Sequence, residues 1–117
     1  MTMQAGVDTT SRAGLGPAAA LFRSLGDPAR LTIVRRLASG QARVTDLTRE
    51  LGLAQSTVSQ HLACLRDCQL VNVRAAGRAS VYSLAQPALL DLFTAAEQVL
   101  AATGNAVALC PVYGQPR

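Results

Sequence analysis

The tightest constraint on this chain lies between Leu51 and Gln55. One helical pattern fits Thr45 to Leu51, with Thr45 as N-cap, Leu47 and Leu51 turned inward, and Gly52 as its stop. Another fits Gln55 to Asp67. So little chain separates them that the two helices must form a tight helix-turn-helix. The pattern then changes period. Leu70 to Arg74 and Ala79 to Leu84 alternate and are rich in β-branched residues, with Ala75-Ala76-Gly77-Arg78 between them, so they predict a hairpin. A helix-turn-helix followed by a two-stranded wing suits duplex reading: its second helix enters the major groove and the wing reaches along the backbone.

The flanks complete a mainly α-helical fold with one β-hairpin, a winged helix-turn-helix. Residues 1–16 are small and polar and read as a loose arm. From Pro17 to Leu25, Ala18, Leu21, Phe22 and Leu25 share a helical face that Gly26 ends. Asp27-Pro28 starts the next helix, because Asp can cap free N–H groups and Pro is tolerated at the first helical position. Leu31, Val34 and Leu37 recur along it, and Ser39-Gly40 stops it. Pro87 opens a last helix through about Ala102, carrying Leu89, Leu90, Phe93, Ala96, Val99 and Leu100, and Gly104 ends it. The expected division is a domain over residues 17–103 and a tail over 104–117 that contains Cys110.

A chain of 117 residues is one domain, and with 3% aromatic residues and no Trp its core must be mainly Leu, Val and Ala. Such residues bury little area each, which argues for several short helices and a partner subunit. The net charge is +4, and every basic side chain is Arg. That bias reads as a GC-rich coding sequence, but the charge suits a polyanionic partner, and Arg forks match phosphate and guanine edges. Three cysteines are no secreted disulfide framework. With no visible signal peptide and no stretch apolar enough to span a bilayer, the expectation is the cytoplasm, reduced thiols and no membrane partner. The one His has no neighbouring catalytic carboxylate, so an enzyme is not expected.

At roughly 100° per residue, the second helix of the pair has three faces. Val58, Leu62 and Leu65 form a core stripe. Ser56, Ser59, Gln60 and Ala63 lie broadly opposite; Gln can pair bidentately with adenine, and Ser can bond base edges or phosphate. Arg74 and Arg78 flank the wing turn and can hold phosphates or enter the minor groove. Thr57, His61, Cys64 and Cys68 line a third side. Two thiols four residues apart point the same way and can share a soft metal such as Cd(II), Pb(II), Zn(II), Cu(I) or As(III). A third ligand is needed. Cys110 is the remaining cysteine, and the tail from about Ala102 would reach roughly 25 Å if extended. Structural burial of the thiols, or a redox switch, are the alternatives for the same residues.

These motifs resemble the ArsR/SmtB family of bacterial metal-responsive repressors. The Leu25-Gly26-Asp27-Pro28-Ala29-Arg30 opening is similar to that family's L-x-D-P-x-R. Gln55-Ser56-Thr57-Val58-Ser59-Gln60-His61-Leu62 resembles its recognition helix, and Leu70-Val71 and Gly77-Arg78 through Tyr82-Ser83-Leu84 its wing. The likeness runs roughly from Pro17 to Ala102. Cys64-Leu65-Arg66-Asp67-Cys68 resembles the CmtR branch, which senses cadmium and lead. The match implies Cys64, Cys68 and Cys110 as metal ligands, the last contributed by the other subunit in that branch. The chain departs from other branches: Ala42 to Asp46 has no Cys, and no His follows Asp91.

The resemblance implies a homodimer that packs through its first and last helices and represses transcription from a near-palindromic operator. Gln55, Ser56, Thr57, Ser59, Gln60, His61, Arg74 and Arg78 are the expected DNA contacts, Cd(II) or Pb(II) the expected effector, and no organic cofactor is implied. An arsenite-responsive or a thiol redox-responsive repressor of the same fold are the rival readings.

Overall fold

Side-chain caps fix the starts of two of the five α-helices among the described residues. The computed structural model describes residues 12–110. A 3-10 turn at Ala13–Leu15 leads into α1 (Gly16–Leu25), so the last part of the expected arm is helical; positions 1–11 lie outside the described residues. α2 (Pro28–Leu37) starts as expected: the Asp27 carboxylate accepts the backbone N–H groups of Ala29 at 2.9 Å and Arg30 at 3.1 Å. α3 (Val44–Leu51), α4 (Gln55–Asp67) and α5 (Ala88–Ala102) follow, and Gly52, at φ 68°, ends α3 in the left-handed conformation that Gly adopts without steric cost.

One expectation is corrected and another is extended. Thr45 is not the N-cap of α3. The helix begins at Val44, Arg43 holds the N-cap position, and the Asp46 carboxylate accepts the Arg43 backbone N–H at 3.0 Å. The expected β-hairpin is present, and a short third strand extends its sheet. Ala42–Arg43 form β1, which pairs antiparallel with β3 (Ala79–Leu84), while β2 (Val71–Ala76) pairs on the other side, giving the order β1-β3-β2. The causes are linked: pairing Ala42 with Tyr82 and Arg43 with Val81 holds the chain extended up to Arg43, so the helix starts directly after it. β2 runs two residues past Arg74, and Val71↔Leu84 through Ala76↔Ala79 leave Gly77-Arg78 as a two-residue turn, with Gly77 at φ 64°.

The core joins every helix to the wing. Val58, Leu62 and Leu65 of α4 are each fully buried, as their stripe predicts, against Ile33, Val34 and Leu37 of α2, Leu47 of α3, and Leu89 and Phe93 of α5. Each such side chain contributes about 1.5–3 kcal/mol by leaving water, so α4 is anchored by its own sequence. Val34 and Leu37 are buried and Leu31 packs half-buried against the core, as their spacing predicts; Ile33, which that spacing does not single out, is fully buried with them. α4 ends with the N–H of Leu70 bonded to the carbonyl of Leu65 and that of Gln69 to Arg66, which holds Gln69 at φ 63°. No helix among the described residues is long and apolar enough to cross a membrane.

Candidate nucleic-acid interface and metal centre

The helix-turn-helix presents the expected polar face. With Val58, Leu62 and Leu65 buried, Gln55, Ser56, Ser59 and Gln60 project from α4 as exposed side chains. Thr57 and His61 are half-buried, on the side nearer α2, where the charge of His61 acts on Asp27. The Asp27 carboxyl is held below its ordinary value mainly by the backbone N–H of Arg30, then by Ala29, with His61 and the Arg30 side chain adding to the effect. Asp27 therefore stays ionised, capping α2 beside α4.

The wing adds positive charge. Arg78 lies exposed in the turn and Arg74 exposed on β2, where its guanidinium donates to the Gln41 side chain at 3.2 Å. Gln41 precedes β1, so the short strand that the sequence pattern misses also steadies a wing arginine. At the start of α3, Asp46 is pushed down to about 2, first by the Arg43 backbone N–H and then by the Arg43 and Arg49 side chains. That cluster is structural: its carboxylate is occupied by the helix it caps.

The thiols divide into a pair and a single group. Cys64 and Cys68 are both exposed and stand one helical turn apart, for the N–H of Cys68 bonds to the carbonyl of Cys64 at 3.1 Å. Cys68 is the C-cap residue of α4, and its sulfur lies 3.1 Å from the Ser24 hydroxyl of α1. Cys110 is half-buried elsewhere, against α5, with its sulfur 3.3 Å from the Thr94 hydroxyl. Among the described residues of one protomer, no three His, Cys, Asp or Glu side chains are grouped to hold a metal ion. The fold thus brings together two of the three expected ligands. Two exposed thiols at this spacing are chemically suited to a thiophilic ion, and a complete three-sulfur set requires the tail to be placed differently or a second copy to be present. The sequence pattern does not single out Ser24 or Thr94, because a lone hydroxyl on a helix carries no spacing signal.

Residues 27–73, from the α2 cap to the wing, match the family described as bacterial regulatory protein, arsR family. A probable mercury resistance operon repressor of Streptomyces lividans is 33% identical over 103 residues, covering 88% of this chain and 76% of the relative. The HTH-type transcriptional regulator CmtR of Mycobacterium bovis is 45% identical over 67 residues, 57% of each chain. The solution structure of a homodimeric winged helix-turn-helix DNA-binding domain, Mb0332 of Mycobacterium bovis, superposes with a TM-score of 0.69 at 29% identity, covering 85% of this chain and 91% of that one. By the matched helix-turn-helix, the extended relative and the shared winged fold, this chain belongs to the ArsR family, whose members are DNA-binding transcriptional regulators and not enzymes.

Proposed function

We propose that this protein is a homodimeric repressor that occupies a near-palindromic operator in the cytoplasm and leaves it when a thiophilic metal ion binds Cys64, Cys68 and Cys110. The observation that carries this reading is the exposed Cys64–Cys68 pair on the last turn of the same helix whose polar face is free for base edges. Ligand and operator would then act on one rigid element. A ligand that favours one pose of that helix changes DNA affinity by the same factor by which DNA changes ligand affinity, typically ~1–3 kcal/mol.

The residues have separate roles. Gln55, Ser56, Ser59 and Gln60 read base edges, with Thr57 and His61 at the margin of that face; Arg74 and Arg78 hold the phosphate backbone. Cys64 and Cys68 supply two thiolates and Cys110 the third, a donor set that suits Cd(II) or Pb(II). The name of the Streptomyces relative adds Hg(II), another thiophilic ion, to those worth testing. Dimerisation is supported by apolar side chains left open on α1 and α5: Phe22 is 60% and Val99 62% exposed. Sequence patterning turns Phe22 inward, and a second copy seated on these helices would satisfy that pattern.

Titrating the reduced full chain with Cd(II) while following thiolate-to-metal absorption tests the site. Three thiolates per ion, falling to two in Cys110→Ser and to negligible affinity in Cys64→Ser, is the expected result. Absorption equal to that of the native chain in both single variants would refute it.

A further inference from the structure

The tail that carries Cys110 is fastened at three consecutive residues. The Glu97 carboxylate, on α5, accepts the backbone N–H groups of both Leu109 and Cys110, the latter at 2.8 Å. Arg35, on α2, donates from its guanidinium to the carbonyl of Ala108 at 3.1 Å. Between these two anchors the Leu109 side chain enters the core and is only 6% exposed. Cys110 is thereby set on α5, its sulfur beside the Thr94 hydroxyl and 3.8 Å from the carbonyl of Leu90. A short segment after a helix-ending Gly104 (φ 81°) would not hold one backbone path without such anchors.

We propose that Glu97, assisted by Arg35, is the positioning residue for the Cys110 thiol: its carboxylate fixes the tail backbone on α5 and so sets where that sulfur is offered and how readily it reacts. One oxygen accepting two successive N–H groups is a charge-assisted clasp. It restrains the backbone at the reactive residue itself, whereas Leu109 alone would anchor the tail but leave the next residue free to turn. The loss of freedom is taken in the folded protein before any ligand arrives, which is how preorganisation strengthens binding. The effect on metal binding rests on the function proposed above; the effect on thiol reactivity does not.

The test uses the full chain with Cys64→Ser and Cys68→Ser, so that Cys110 is the one thiol present, and follows its alkylation by iodoacetamide without metal. Glu97→Ala is expected to speed alkylation about tenfold, the scale of losing a charge-assisted hydrogen bond. Arg35→Ala, which leaves α5 untouched, should speed it less, and Glu97→Gln, which keeps an acceptor oxygen, should restore most of the protection. An unchanged rate in Glu97→Ala, or a rise confined to variants whose thermal midpoint has dropped, overturns the proposal. With the three cysteines in place, Glu97→Ala should need about tenfold more Cd(II) for half-saturation. If the native protein binds Cd(II) and Glu97→Ala binds it equally well, the positioning role is overturned; if the native protein does not bind Cd(II) yet the alkylation result holds, the clasp stands and the metal-sensing reading falls.

Discussion

The sulfur of Cys68 and the hydroxyl of Ser24 lie 3.1 Å apart, which joins the last turn of α4 to the end of α1. The backbone carbonyl of Ser24 in turn accepts the Arg30 guanidinium at 2.8 Å, so the same residue touches α2. A displacement of Cys68 is therefore felt by α1, one of the two helices with an open apolar face. Ser24→Ala should leave stability within about 0.5 kcal/mol, as for most changes at partly exposed sites. It should also raise the alkylation rate of Cys68 several-fold, measured by mass spectrometry of the labelled peptide. An unchanged Cys68 rate would show that the contact does not restrain the thiol.

The residues proposed to read base edges from α4 and those proposed to hold the backbone from the wing should separate by salt dependence. Gln60→Ala should lower affinity for the cognate operator by about 1–3 kcal/mol and leave non-specific binding nearly unchanged. Arg78→Ala should weaken binding to all duplexes and reduce the slope of log affinity against log salt by about one. Anisotropy titrations across several salt concentrations distinguish them. Equal loss on both duplexes for Gln60→Ala would remove it from the reading face.

Backbone conformation gives opposite expectations at two positions. Gly77 sits at φ 64° in the wing turn with nothing near its missing Cβ, so Gly77→Ala should cost about 1 kcal/mol through backbone strain alone. Gln69 at φ 63° already bears that strain, and Gln69→Gly should stabilise by a few tenths to about 1 kcal/mol. Urea unfolding of both variants checks the pair. Leu62→Ala, by contrast, opens the fully buried base of the reading helix and should cost about 2–5 kcal/mol.

Acid should loosen α3. The Asp46 carboxyl is held down to about 2 by the Arg43 backbone N–H and then by the Arg43 and Arg49 side chains, below its ordinary 3.8. A carboxyl lowered by folding lends stability that is complete above the ordinary value and is lost as pH falls through the folded one. The thermal midpoint should therefore drop between about pH 4 and pH 2, with Asp27, lowered first by the Arg30 N–H, adding to the same limb. Asp46→Asn should lower the midpoint at neutral pH and flatten the acid limb. An acid limb of unchanged steepness would mean that other carboxyls govern it.

Periodic and capped features are legible in the sequence. The Val58-Leu62-Leu65 stripe, the Asp27-Pro28 start and the Gly77 turn each rest on local chemistry, and each is present. What the pattern missed depends on distant partners. β1 is two residues long and exists because β3 offers an open edge. Its pairing is also what displaces the α3 cap from Thr45 to the Arg43–Asp46 pair. Of the thiols, the shared side of Cys64 and Cys68 follows from helical spacing alone. The seat of Cys110 does not, because it depends on Glu97 and Arg35 meeting a tail whose course no local signal sets.

Metal-controlled operator binding is measured by fluorescence anisotropy of the reduced, metal-free protein on duplex DNA from its own promoter, followed by addition of Cd(II). Tight binding without metal, release on adding Cd(II), and retention of the complex by Cys64→Ser at the same Cd(II) concentration are the expected results. A complex that Cd(II), Pb(II), Hg(II) and As(III) all leave intact would contradict them: the DNA-reading fold would stand, and Cys64, Cys68 and Cys110 would not be a metal site.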